Sequence, residues 1–116
     1  MSCTYNILAP VTYGCGAVSE TGEICLKLGS HKAVIVTEKS LVELGIVKKV
    51  TDSLEKAGIA YTVFDGACQD APDYAVAAGA DAAKQMGADT IVGVGGGSSL
   101  DPAKAVSVLA ASGLTI

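Results

Sequence analysis

Apolar residues fall along this chain in two alternating rhythms. Ala33-Val34-Ile35-Val36 and Thr90-Ile91-Val92-Gly93-Val94 are short, continuous and rich in β-branched side chains, the pattern of buried strands. Ala60 to Phe64 is a further run of this kind. Between them the apolar positions recur at helical spacing. Ala17 to Leu28 carries Val18, Ile24, Cys25 and Leu28, with Gly29 as a C-terminal stop. Val47, Val50, Leu54 and Ala57 share one face of a helical region that Gly58 ends. Pro72 and Asp73 open a helix reaching about Met86 and closed by Gly87, and Ala105, Val106, Leu109 and Ala110 mark a last helix. Near the start, Tyr5 to Leu8 reads as an extended arm. Pro10 stops it, lacking an N–H and suiting the edge of a sheet.

This order, βαβαβα after a short arm, predicts an α/β fold with a parallel sheet and helices on both faces. No linker, low-complexity tract or internal repeat interrupts it, so the 116 residues amount to one domain at most. Ligands of such sheets bind beyond the carboxyl ends of the strands. Glu38 follows the first strong strand and Gly95-Gly96-Gly97 follow the last, so both are expected at one edge despite their separation in sequence.

Composition narrows the function classes. The formal net charge is −4 and no basic run is present, which excludes the electrostatic footprint of a nucleic-acid binder. Charged residues make up 17% of the chain and apolar residues 50%, yet aromatics only 4%. A chain built so largely from Ala, Val, Ile and Gly is expected to bury its elements on several sides, in part against surface beyond these residues. No stretch nears the roughly 20 apolar residues that span a bilayer. Met1-Ser2-Cys3-Thr4-Tyr5 has neither a basic region nor an apolar signal core, which points to the cytoplasm. Cys3, Cys15, Cys25 and Cys68 form no CxxC pair and meet no histidine at metal spacing, so they read as reduced thiols. Cys15, between two glycines in a loop expected on the ligand side, is the first candidate should any of these otherwise indifferent thiols be reactive. His31 is the only histidine and reads as a surface loop residue.

The chemistry concentrates in Gly95-Gly96-Gly97-Ser98-Ser99-Leu100-Asp101-Pro102-Ala103-Lys104, between the last strand and the last helix. Successive glycines allow positive φ and a close approach of backbone to ligand. The free N–H groups and positive dipole end of the following helix suit a phosphate or pyrophosphate. Ser98 donates its hydroxyl to such a ligand or caps the helix, and Ser99 is an equal choice of cap. Asp101 either stabilises the helix from its first turn or serves the site, Pro102 fits an early helical position, and Lys104 lies near a phosphate or on the solvated face. The common dinucleotide fingerprint runs the other way, with glycines after the first strand and an acid about 20 residues later.

The string GGGS-x-x-D-x-A-K resembles the N-terminal domain of iron-containing (group III) alcohol dehydrogenases. The resemblance extends to Tyr13-Gly14-Cys15-Gly16-Ala17, Val36-Thr37-Glu38-Lys39 and Leu44-Gly45-Ile46. It implies a Rossmann-like domain of the dehydroquinate synthase-like fold that binds NAD in preference to NADP. Gly95, Gly96, Gly97 and Ser98 would meet the pyrophosphate and Glu38 the adenosine ribose, where many relatives carry Asp. Asp101 would lie beside the nicotinamide and metal region, with Lys104 toward the site. It further implies a homodimer or larger homo-oligomer paired through N-terminal strands. The reaction implied is reversible hydride transfer between a small alcohol or aldehyde and the nicotinamide. Fe2+ or another divalent metal would be held by one aspartate and several histidines of a downstream helical domain. Residues 1–116 are thus expected to be a partial N-terminal NAD-binding domain with no catalytic residue and no metal ligand, inactive alone. The alternatives are a stand-alone nucleotide-binding or interaction module and a fragment of a glycerol dehydrogenase-like enzyme.

Overall fold

Four consecutive apolar residues decide where the other elements lie. The computed structural model describes Ser2, residues 9–70 and residues 72–112; the arm Tyr5 to Leu8 falls outside them. Strand β1 (Lys32–Val36) buries Ala33, Val34, Ile35 and Val36 completely, and successive side chains point to opposite faces. Ala33 and Ile35 pack with Cys25, Val47, Val50, Leu54 and Ile59. Val34 and Val36 pack with Val76, Ala83, Ala103 and Val106. A strand that is apolar on both faces belongs inside, and β1 is central. β2 (Ala60–Phe64) and β3 (Thr90–Gly93) flank it in parallel, in the order β2-β1-β3, with Val34 opposite Thr62 and Ile91. The parallel α/β sheet read from the sequence is the sheet observed.

Helices cover both faces. A 3-10 turn over Ala17–Glu20 leads into α1 (Thr21–Lys27), which covers the first face with α3 (Ile46–Lys56). α4 (Asp73–Met86) and α5 (Gly97–Ser112) cover the second. Among the described residues no helix is long and apolar enough to cross a membrane. The helical region expected after β1 is preceded by a short helix, α2 (Lys39–Glu43). Gly45, in the left-handed region at φ 78°, separates it from α3.

The first helix departs from its apolar pattern. Val18, Ile24 and Leu28 are exposed, while Gly22 and Cys25 are buried. The cause is a backbone-to-backbone crossing. A Cβ on Gly22 would stand 2.3 Å from the Ser53 carbonyl oxygen. Gly22 N–H donates to Ser53 Oγ at 2.8 Å, and that hydroxyl donates to the Ser19 carbonyl at 2.8 Å. The seam is small and polar, so hydrophobic periodicity does not reveal it.

At the amino end of the sheet, Asp89 ties β3 to β1. Its carboxylate accepts from His31 N–H at 2.9 Å and from Lys32 N–H at 3.2 Å, and Ser30 and Thr90 join hydroxyls beside it. The His31 N–H, foremost, then Lys32 N–H and the Thr90 hydroxyl, hold the Asp89 carboxyl below its ordinary range against some desolvation. The exposed His31 ring lies 3.4 Å from the same carboxylate.

Two outcomes follow from these joints. Gly22→Ala should lose about 2–3 kcal/mol in urea denaturation, because the methyl meets a carbonyl that cannot rotate away. A folded-state carboxyl pKa below the unfolded value stabilises above the unfolded pKa and is lost as pH falls through the folded one. Asp89→Asn should therefore lower the urea midpoint at pH 7, and the gap from the parent should shrink below about pH 4.

Candidate functional site

Thr37, the residue after β1, is fully buried and joins three strand ends. Its N–H donates to the Phe64 carbonyl at 2.9 Å, and its own carbonyl accepts from Ala67 N–H at 3.1 Å. Its hydroxyl donates to the Val94 carbonyl at 3.0 Å, while Val94 N–H donates to the Val36 carbonyl at 3.0 Å. The next residue, Glu38, is consequently held at the carboxyl edge, in an isolated antiparallel bridge with Gly66. Sequence reasoning did not single out Thr37; a polar residue ending a wholly apolar strand was the available signal.

The glycine turn approaches Glu38 from the other side. Among the three glycines only Gly95 takes positive φ, at 134°. A Cβ there would lie 2.7 Å from Ser99 Oγ and 2.9 Å from Leu41 Cδ1, whereas Gly96 and Gly97 face open space. The Gly96 carbonyl accepts from Ser99 N–H and Leu100 N–H, so α5 begins directly after it. The earliest N–H groups of that helix have no partner within it. Ser98 Oγ donates to Glu38 Oε1, and Ser99 Oγ reaches the same oxygen at 3.4 Å. Glu38 and the glycine turn, 60 positions apart at Ser98, meet as their places at the strand ends required.

This early start of α5 corrects two expectations. Pro102 lies inside the helix, so its missing N–H removes a bond to the Ser98 carbonyl. No acid occupies the first turn of α5, so Asp101 does not act on the dipole from there. Its side chain is 79% exposed, as is that of Lys104, and the two pair at 3.6 Å.

A cleft of about 820 Å³ opens over this edge. Glu38, Gly97, Ser98, Asp101 and Pro102 line one wall, and Cys68, Gln69, Asp70 and Asp73 line the other. Lys104 lines a separate recess with Ile91 and Leu100. Among the described residues the lining holds four carboxylates and no cation. An anion entering the cleft must therefore be met by backbone N–H groups, hydroxyls and the helix end. The open faces of Gly96 and Gly97 and the acceptor on Glu38 fit a pyrophosphate joined to a ribose. Cys15, expected on this side, does not line the cleft; its neighbour Gly16 borders a groove between α1 and α3. The thiol at the cleft is Cys68, carried there by the turn after β2. Among the described residues no group of three or more His, Cys, Asp or Glu side chains could hold a metal ion, so the residues here do not fit one.

Comparison with known proteins agrees with this fold. The family model for iron-containing alcohol dehydrogenases matches residues 9–115. Lactaldehyde reductase of Escherichia coli K12 is 37% identical over 97 residues, covering 84% of this chain and 25% of that protein. The NADH-dependent butanol dehydrogenase A of Thermotoga maritima superposes with a TM-score of 0.85 at 28% identity, covering 92% of this chain and 27% of its own. The sulfoacetaldehyde reductase of Bifidobacterium kashiwanohense, solved in complex with NAD+, superposes with a TM-score of 0.81 at 26% identity, covering 96% of this chain and 30% of its own. The chain thus spans about a quarter of the length of the curated relatives it matches.

The glycines should separate by experiment. Gly96→Val meets nothing and needs no positive φ, so its melting temperature should stay close to the parent's. Gly95→Val should lose about 2 kcal/mol or more from the strained backbone and the collision with Ser99.

Proposed function

This chain belongs to the iron-containing alcohol dehydrogenase family, and on that premise we propose that it is the dinucleotide-binding N-terminal part of a metal- and NAD-dependent alcohol dehydrogenase. The observation that carries the proposal is the meeting of Glu38 with the Gly95–Ser99 turn over the carboxyl ends of the strands. Gly96 and Gly97 give the pyrophosphate clearance, and the first N–H groups of α5 point their positive end at it. Gly95 turns the chain into that helix. Ser98, on the cleft wall, hands its hydroxyl from Glu38 to a phosphate oxygen. Glu38 accepts from the ribose hydroxyls and opposes a 2′-phosphate, which favours NAD over NADP. Asp101 lines the nicotinamide half of the cleft, with Lys104 behind it offsetting its charge. Bound nicotinamide supplies the hydride chemistry, reversible transfer to or from a small alcohol or aldehyde.

The cytoplasm is the proposed compartment, and a homodimer or larger assembly the proposed state. Among the described residues no strand pairs with the outer edge of β2, where Thr62 and Val63 are exposed, and this supports association.

Titration calorimetry should detect NAD+ binding to the parent chain, and Gly96→Val should abolish it while remaining folded. The parent should not oxidise short alcohols with NAD+ and a divalent metal at an enzymatic rate. A parent that binds no NAD+, or a Gly96→Val variant that binds it equally well, would refute the assignment of the cleft.

A further inference from the structure

Ser99 is fully buried, in the first turn of α5, with its hydroxyl directly beneath Gly95. A hydroxyl sealed from water needs a partner inside the protein. Among the described residues that partner is Glu38 Oε1, 3.4 Å away on a different element. Ser98 donates to the same oxygen but from the cleft wall, where a ligand can draw it off. Both hydroxyls thus fall on Oε1, and no hydrogen bond among the described residues involves Oε2. The two serines are adjacent in sequence and differ in what can reach them.

We propose that Ser99 is a positioning residue for nucleotide selectivity: from inside the fold it fixes one oxygen of Glu38, leaving the other to face the cleft as acceptor for the paired hydroxyls of an unphosphorylated ribose. The proposal rests on the dinucleotide site described above. A glutamate carries three side-chain torsions, and ordering them costs entropy unless something holds the carboxylate beforehand. Ser98 leaves the carboxylate when it turns to a phosphate, whereas the buried Ser99 hydroxyl has no other side-chain partner among the described residues. A held carboxylate accepts from a 2′-hydroxyl and repels a 2′-phosphate. A loose one swings aside and loses both effects.

Dissociation constants for NAD+ and NADP+, measured by calorimetry on the parent, Ser99→Ala, Ser98→Ala and Glu38→Gln, test this. Ser99→Ala should weaken NAD+ about tenfold and leave NADP+ little changed, so the preference falls about tenfold. Ser98→Ala should weaken both dinucleotides alike, and Glu38→Gln should lose the preference. Equal weakening of both by Ser99→Ala is the result of lost packing alone and overturns the proposal while the site stands. A parent that binds neither dinucleotide overturns the site itself. Should circular dichroism show Ser99→Ala unfolded, a crystal structure of the parent with NAD+ decides. Ser99 Oγ on one Glu38 oxygen with the ribose on the other supports the proposal. Ser99 bonded elsewhere, or both groups on one oxygen, overturns it.

Discussion

The polar atoms of Thr37 bind the carboxyl ends of three parallel strands into one rigid edge. Parallel strands join only through long connections, so nothing local keeps their ends level. Here one buried residue does so, taking β2 through its backbone and the end of β3 through its hydroxyl. Its own burial follows from β1, which is apolar on both faces and pulls the next residue inside. The position of Glu38 opposite the glycine turn depends on that joint. A valine of similar shape would keep the packing and leave the Val94 carbonyl without its side-chain donor, a cost out of proportion to one hydrogen bond.

Much of the fold was legible because its strands are continuous apolar runs and its helices end at glycines. Ala60–Phe64 and Asp73–Met86 coincide with their sequence limits, the latter closed by Gly87 at φ 70°. Legibility failed where small polar residues do the packing. Along α1, Ile24 and Leu26 face outward and Gly22 makes the seam, so of the positions that periodicity put on the apolar face Cys25 is buried and Val18, Ile24 and Leu28 are not. The start of α5 was also misplaced, because Gly97 lies in the helix while glycine composition suggests a turn.

The cleft was half legible. One wall is local, a glycine string and the helix it opens, and a single stretch of sequence specifies it. The other wall runs through Cys68, Gln69 and Asp70, where no periodicity exists. Asp70 takes positive φ at 53°, a left-handed conformation that aspartate tolerates better than most residues. Such a loop is placed by what it connects. Gly66 and Ala67 anchor it to Glu38 and Thr37, so its course depends on the same joint that levels the strands.

The carboxylates around the cleft also govern how an anionic ligand arrives. On the proposed reading, a dinucleotide approaching Glu38, Asp70, Asp73 and Asp101 meets repulsion well before its phosphates reach the helix end. Dissolved ions screen that repulsion over a Debye length of about 10 Å at 0.1 M salt. The short-range hydrogen bonds from the glycine backbone are screened far less. Encounter should therefore quicken as ionic strength rises, the reverse of a site that gathers its ligand with lysines and arginines. The proposed site would thus place recognition in contacts made after arrival, so discrimination among anions would fall to shape and hydrogen-bond geometry rather than to charge.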